Sequence, residues 1–223
     1  MTAFKNLCDL CVLCREKSKG LKGMKNSQFT LLKDSRFAPL LGAQFLGAFH
    51  DNLFKNALAV MLLFGAGAGG GDNAQVLVTL AAGVFILPFI LFSATGGQLA
   101  DKYPKDAVIR IVKLAEIGVA VLGAIALLTH SIFLSFVTLF LLGSQSAFFG
   151  PSKYSILPQH LKSEELIGGN ALLNTGTFLA ILIGTIAGAV MITVSGGEKI
   201  VAAVILITAG AGTPEKGRPR NAS

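Results

Sequence analysis

From residue 38 onward, long apolar blocks alternate with short polar interruptions. Six blocks stand out, at about 38–64, 74–100, 107–128, 131–149, 166–194 and 199–212. A helix that crosses the hydrocarbon core of a bilayer needs about 20 mostly apolar residues, and the first five blocks meet that length. Gly65 to Asn73, Asp101 to Asp106, Thr129 to Ser131, Gly150 to Glu165 and Ser195 to Glu198 read as the connections. In the fourth of these, Pro151 and Pro158 predict a break in the helix, and Ser163 is placed to cap the next one. The sixth block holds 13 residues from Ile200 to Gly212. That is about 20 Å of helix against a core of about 30 Å. The pattern predicts an all-α polytopic membrane protein whose sixth helix is cut short, with a re-entrant segment as the alternative.

Composition supports the membrane reading. Apolar residues make up 52% of the chain and charged residues 14%, against about 25% charged in a soluble domain. The net charge of +7 invites a nucleic-acid reading. The positive charges flank the apolar blocks rather than cover one face of a soluble domain, so no nucleic-acid partner is expected. Eight Lys and Arg precede residue 37. Lys102, Lys105, Arg110 and Lys113, then Lys153 and Lys162, then Lys216, Arg218 and Arg220 fall on the same predicted side. Lys199 alone falls on the other. The positive-inside rule then places both termini in the cytoplasm.

The predicted organisation is a basic cytoplasmic tail at 1–36, a six-helix bundle at 37–212 and a polar tail at 213–223. Residues 1–23 differ in composition from the rest of the chain, and Met24 opens a natural entry into the first span, so 1–23 reads as an extension of the gene start. No compact apolar region with a cleavage site marks a removable signal peptide. Cys8, Cys11 and Cys14 hint at a metal, but structural metal sites normally take four ligands and no fourth Cys exists. Free thiols are the plainer reading, and no metal or cofactor is expected.

The chemistry concentrates in the first block. His50, Asp51, Asn52, Lys55 and Asn56 sit near the middle of FLGAFHDNLFKNALAVMLLF. An ionisable residue at that depth costs about 2.5–3.5 kcal/mol on insertion scales, so it must face protein, water or a ligand. At 100° per residue, Gln44, Asp51 and Lys55 share one face within about 40°, with Asn52 and Asn56 beside them. Asp51 and Lys55 are spaced for an i,i+4 ion pair; they make either a structural pair or the polar wall of a cavity, and the membrane setting favours the wall. His50 lies about 100° away. In the third block Arg110, Lys113 and Glu116 stand at i, i+3 and i+6. Arg110 is placed to snorkel, and Glu116 needs a partner that Lys113 or Lys55 could supply. In the fifth, Gly176, Ala180, Gly184 and Gly188 form a small-residue ridge for close helix packing, and Asn170 and Asn174 point toward the cavity. The one approach to a His-x4-Asp catalytic pattern is His160 with Glu165, which lacks the Asp, so no enzyme is expected.

The stretch GQLADKYPKD from Gly97 to Asp106 is similar to the cytoplasmic signature of the major facilitator superfamily. Pro104 replaces its usual Gly, and Asp106 replaces a base. Gly97, Asp101, Lys102 and Lys105 would then latch one conformation. Taken together, FLGAFHDN, GGQLADK, IVKLAEIG, AFFGPSKYSIL and GTFLAILIGTIAGAV resemble the lysophospholipid transporter family of that superfamily, including the transporter half of fused acyltransferase/acyl-ACP synthetase proteins. The resemblance covers about 28–194. It implies the N-terminal six helices of a twelve-helix fold with a central cavity between two halves. It further implies lysophospholipid, chiefly lysophosphatidylethanolamine, as substrate in the bacterial inner membrane. Asp51 and Asn52 would contact the headgroup, with Asp51 suited to an ammonium. Lys153, in the Pro-x-Lys-Tyr turn, would meet a phosphate or gate the cytoplasmic side. The expected substrate-binding set is Asp51, Asn52, Lys55, Lys113, Glu116, Lys153 and Asn174. Expected partners are the lysophospholipid, membrane lipids, an acyltransferase/acyl-ACP synthetase and a second six-helix half. The alternatives are a facilitator for another small substrate, or a truncated fragment without function.

Overall fold

The computed structural model describes residues 31–32, 37–64, 72–102, 105–161 and 165–211. Within these, the side chains at 72, 93–102, 105–110, 149–156 and 158–160 lie outside the description. The described part is a bundle of α1 (Ala38–Phe64), α2 (Asp72–Lys102), α3 (Lys105–Leu128), α4 (Ile132–His160), α5 (Leu166–Ile192) and α6 (Gly197–Ala211). The chain is a multi-pass, all-helical membrane protein, in line with the apolar pattern.

Among the described residues, three stretches are both long and apolar enough to cross a bilayer: Asn73–Phe92, Ile111–Leu128 and Leu166–Ile192. Helix α1, at 27 residues, has the length but carries the polar cluster. Helix α6, at 15 residues, spans about 22 Å, short of the hydrocarbon core, as its block length predicts. The outward faces of α2 and α5 are apolar. Ile90 is 72% and Phe178 71% exposed, with Leu80, Ile86, Leu182 and Ile186 around them. Faces this apolar are sheltered by lipid or protein rather than by water.

Helix α1 is the axis of the bundle. It packs against α5 along its length and against α6. The α5 ridge makes the first contact possible. A side chain at Gly184 would lie 2.6 Å from the Phe49 carbonyl oxygen, and one at Gly188 would collide with the Leu53 carbonyl. Ala180 between them is fully buried. The ridge therefore brings two backbones together, as its four-residue spacing predicts. On the other side α4 packs against α2 and α3. One core cluster joins Leu53, Phe54, Leu58 and Leu62 of α1 to Leu127, Leu139, Leu142 and Ile205. A second, near the other end, gathers Leu31, Phe37, Leu157, Leu161 and Leu173.

Two connections differ from the sequence expectation. Helix α4 does not break at Pro151 or Pro158; it continues to His160 and is capped at Leu161, whose N–H bonds to the Leu157 carbonyl at 3.0 Å. A proline removes one backbone donor, and in an apolar bundle the helix remains the best way to satisfy the others. Lys153 therefore stands on a helix and not on a turn. Glu165, not Ser163, holds the position before α5, and its side chain makes no capping bond; Ser163 lies outside the described residues. Asp101, Lys102, Lys105 and Asp106 likewise belong to the facing ends of α2 and α3, so the second connection shrinks to residues 103–104. Pro88 is also accommodated inside α2. The third connection holds as read: Ser131 caps α4, accepting from the Leu134 N–H at 3.4 Å. His130, at φ 50°, supplies the left-handed turn before it.

Candidate functional site

Five helices line a partly open cavity of about 300 Å³. Helix α1 lines it with Gln44, Gly47, Ala48, Asp51, Asn52 and Lys55, the face that the 100° rule picks out. Helix α2 adds Phe85 and Phe89, α3 adds Lys113 and Glu116, α4 adds Gln145 and Ser146, and α5 adds Thr177 and Ile181. The polar cluster of α1 thus meets four other helices, each contributing two residues at matching depth.

Lys113 and Glu116 form the strongest charge pair. Their Nζ and Oε2 atoms are 2.6 Å apart, and both residues are almost fully buried, at 3% and 1% exposed. The spacing on α3 is i,i+3, which places them on one face. Lys113 also donates to the Ala43 carbonyl at 3.2 Å, which ties α3 to α1. The partner that Glu116 required is therefore Lys113, and not Lys55.

Asp51 is held by side chains from two helices. Ser146 donates to its Oδ2 at 2.7 Å, and His50 Nδ1 stands 3.3 Å from its Oδ1. The i,i+4 pair with Lys55 that the spacing allows is not formed; both residues line the cavity instead, the alternative that the membrane setting favours. Among the described residues the ion pairs are His50–Asp51 and Lys113–Glu116. Lys55 instead places its ammonium 4.0 Å above the centre of the Phe85 ring. A ring face attracts a cation electrostatically, and here it draws the lysine toward α2 and away from its own helix neighbour. His50 is 1% exposed, so it belongs to the packing around Asp51 rather than to the cavity wall.

Gln44 shows how the polar wall is oriented. Thr177 donates its hydroxyl proton to the Leu173 carbonyl at 2.7 Å, so toward Gln44 it can only accept. The Gln44 amide therefore presents Nε2 to it, at 3.2 Å. This leaves Gln44 Oε1 buried without a partner, as are Glu116 Oε1 and Gln145 Oε1 among the described residues. Three cavity-lining residues thus carry unsatisfied acceptor oxygens. A buried acceptor without a donor costs about 1–3 kcal/mol, which water or a ligand with N–H or O–H groups would relieve.

Of the expected site residues, Asp51, Asn52, Lys55, Lys113 and Glu116 converge on this cavity. Asn52 keeps its amide on the helix, donating to the Ala48 carbonyl at 2.7 Å. Asn174 does not line the cavity; Thr177, one turn further along α5, does. The side chains of Lys153, Gly97, Asp101, Lys102 and Lys105 lie outside the described residues, as do Cys8, Cys11 and Cys14. Sequence reasoning missed Gln145, Thr177 and the Phe85–Phe89 wall. The GSQS run on α4 was the available signal for Gln145 and Ser146, since polar residues are rare inside an apolar helix.

Comparison with known proteins points the same way. Lysophospholipid transporter LplT of Citrobacter koseri is 33% identical to this chain over 152 residues, 68% of the chain and 35% of the relative. LplT of Enterobacter sp. strain 638 is 33% identical over 149 residues, 67% of the chain and 34% of the relative. LplT of Serratia proteamaculans is 32% identical over 164 residues, 72% and 37%. The chain spans about a third of the length of these curated relatives. No protein-family model matches the chain, and no solved structure matches it. The relatives are transporters by name, not enzymes. By this shared sequence the chain is homologous to the bacterial lysophospholipid transporters, over a segment equal to about a third of their length.

Proposed function

We propose that the chain forms the N-terminal six-helix half of a major facilitator transporter that moves a lysophospholipid, of the lysophosphatidylethanolamine kind, across the bacterial inner membrane. The observation that carries this reading is the Asp51 carboxylate, oriented by Ser146 and His50 on the wall of a cavity built from five helices. A carboxylate so placed suits an ammonium headgroup. Phe85, Phe89 and Ile181 offer apolar surface beside it for the glycerol and acyl portion. The named activity of the homologous transporters supports the substrate class. On this reading both termini face the cytoplasm, where an acyltransferase/acyl-ACP synthetase would take over the delivered lipid. A second six-helix half would close the cavity.

A chimera tests this. Residues 28–194 replace the matching segment of a homologous transporter, in a strain lacking its own. Spheroplasts then receive labelled lysophosphatidylethanolamine. The expected result is conversion of the label to the diacyl lipid at well above the empty-vector level. A chimera present in the membrane at normal abundance that gives only the vector level would sink the proposal.

A further inference from the structure

Two lysines reach the cavity, and they are not equivalent. Lys113 is committed to Glu116 and to the Ala43 carbonyl. Lys55 has neither an ion-pair nor a hydrogen-bond partner among the described residues; it rests on the face of Phe85. Contact with a ring stabilises a cation by about 0.5–2 kcal/mol but supplies no counter-charge. A half-buried ammonium at membrane depth that makes no direct ion pair is a site for an anion.

The neighbouring groups define which anion. Asp51 lies four residues earlier on the same face of α1, about 6 Å along the axis. Asp51 is engaged by Ser146 and His50, and Lys55 rests on Phe85, so the two opposite charges make no direct ion pair. Beyond Asp51, toward the other end of the cavity, lie the unsatisfied acceptors of Gln44 and Glu116. The wall therefore runs from a cation, through a carboxylate, to acceptors that need donors. A ligand with a phosphate and an amine joined by two carbons presents the complementary order.

Resting on the proposed lysophospholipid function, we propose that Lys55 is the residue that recognises the phosphate. The headgroup lies along α1 with its phosphate at Lys55 and its amine between Asp51 and the Gln44–Glu116 acceptors. In the free protein Phe85 holds the lysine in place until a phosphate takes its charge.

The test uses the 223-residue chain in lipid nanodiscs, with equilibrium binding of four probes. These are lysophosphatidylethanolamine, lysophosphatidic acid, monoacylglycerol and inorganic phosphate. K55Q is expected to weaken both phosphate-bearing lipids by about 30-fold or more, the low end for truncating one partner of a buried charge pair. Monoacylglycerol binding stays unchanged, and K55R restores most of the loss. D51N is expected to weaken lysophosphatidylethanolamine far more than lysophosphatidic acid. If K55Q binds both phosphate lipids as tightly as the unaltered chain while D51N weakens the zwitterion, the Lys55 assignment is overturned and the headgroup reading stands. If the unaltered chain binds none of the lipids, that reading falls, and this inference with it. If inorganic phosphate binds alone and is lost in K55Q, Lys55 is confirmed as the anion contact and the lipid reading is overturned.

Discussion

Removing the charge of Glu116 gives the sharpest test of how this bundle is held together. Glu116→Gln keeps the shape of the side chain and deletes its charge. Lys113, 3% exposed, then loses the counter-charge of Glu116 while keeping its hydrogen bond to the Ala43 carbonyl at 3.2 Å. Breaking a buried ion pair from one side costs about 3–5 kcal/mol. The surviving bond to Ala43 puts the expected loss toward the lower end, about 3 kcal/mol. The double variant Lys113→Met with Glu116→Leu removes both charges and fills the same space. Apolar replacements of buried pairs are often neutral or better, so this variant is expected within about 1 kcal/mol of the unaltered chain. The assay is reversible unfolding in mixed detergent micelles, followed by circular dichroism as the denaturing detergent fraction rises. The reasoning is refuted if Glu116→Gln is as stable as the unaltered chain. It is equally refuted if the double variant is no more stable than Glu116→Gln, because the pair would then not be coupled.

The same contacts support three further predictions. Gly188→Ala places a methyl against the Leu53 carbonyl, and overpacking of this kind costs about 1–3 kcal/mol; the same unfolding assay reads it, and an unchanged midpoint would mean that α1 and α5 are not in close contact. Ser146→Ala deletes the 2.7 Å bond to Asp51, and a hydrogen bond to a charged group is worth about 1.5–3 kcal/mol. Binding of lysophosphatidylethanolamine is expected to weaken about tenfold or more on that basis, and undiminished binding would show that Ser146 does not orient the carboxylate. A cysteine introduced at Ala48, in a chain with Cys8, Cys11 and Cys14 replaced by Ser, is expected to react with a small water-soluble maleimide and to be protected by lysophospholipid; equal labelling with and without the lipid would argue against an occupied cavity.

Much of this architecture is written in the periodicity of the chain. The polar face of α1 comes from 100° per residue, and the structure turns that face into one wall of the cavity. The Lys113–Glu116 pair comes from i,i+3 spacing on a single helix. The α5 ridge comes from small residues at every fourth position. What escaped depends on contacts between distant segments. Ser146 reaches Asp51 from 95 residues away, and no local spacing announces it. Helix spacing allows Lys55 to pair with Asp51, yet Phe85 of α2 competes for it. The helix through Pro151 is hidden from a reading of the sequence because in water proline breaks helices, its freed backbone groups finding solvent. In a bundle without water, keeping the helix satisfies more of them.

The central claim is that the lysophospholipid headgroup occupies the cavity beside Asp51. The most direct measurement is photo-crosslinking with a lysophosphatidylethanolamine that carries its photoreactive group next to the headgroup, with mass-spectrometric mapping of the adducts. The account predicts adducts on Gly47 to Lys55 of α1 and on Phe85 or Phe89 of α2, lost in Asp51→Asn. Adducts confined to the lipid-facing residues of α2 and α5, such as Ile90 and Phe178, and insensitive to Asp51→Asn, would contradict it.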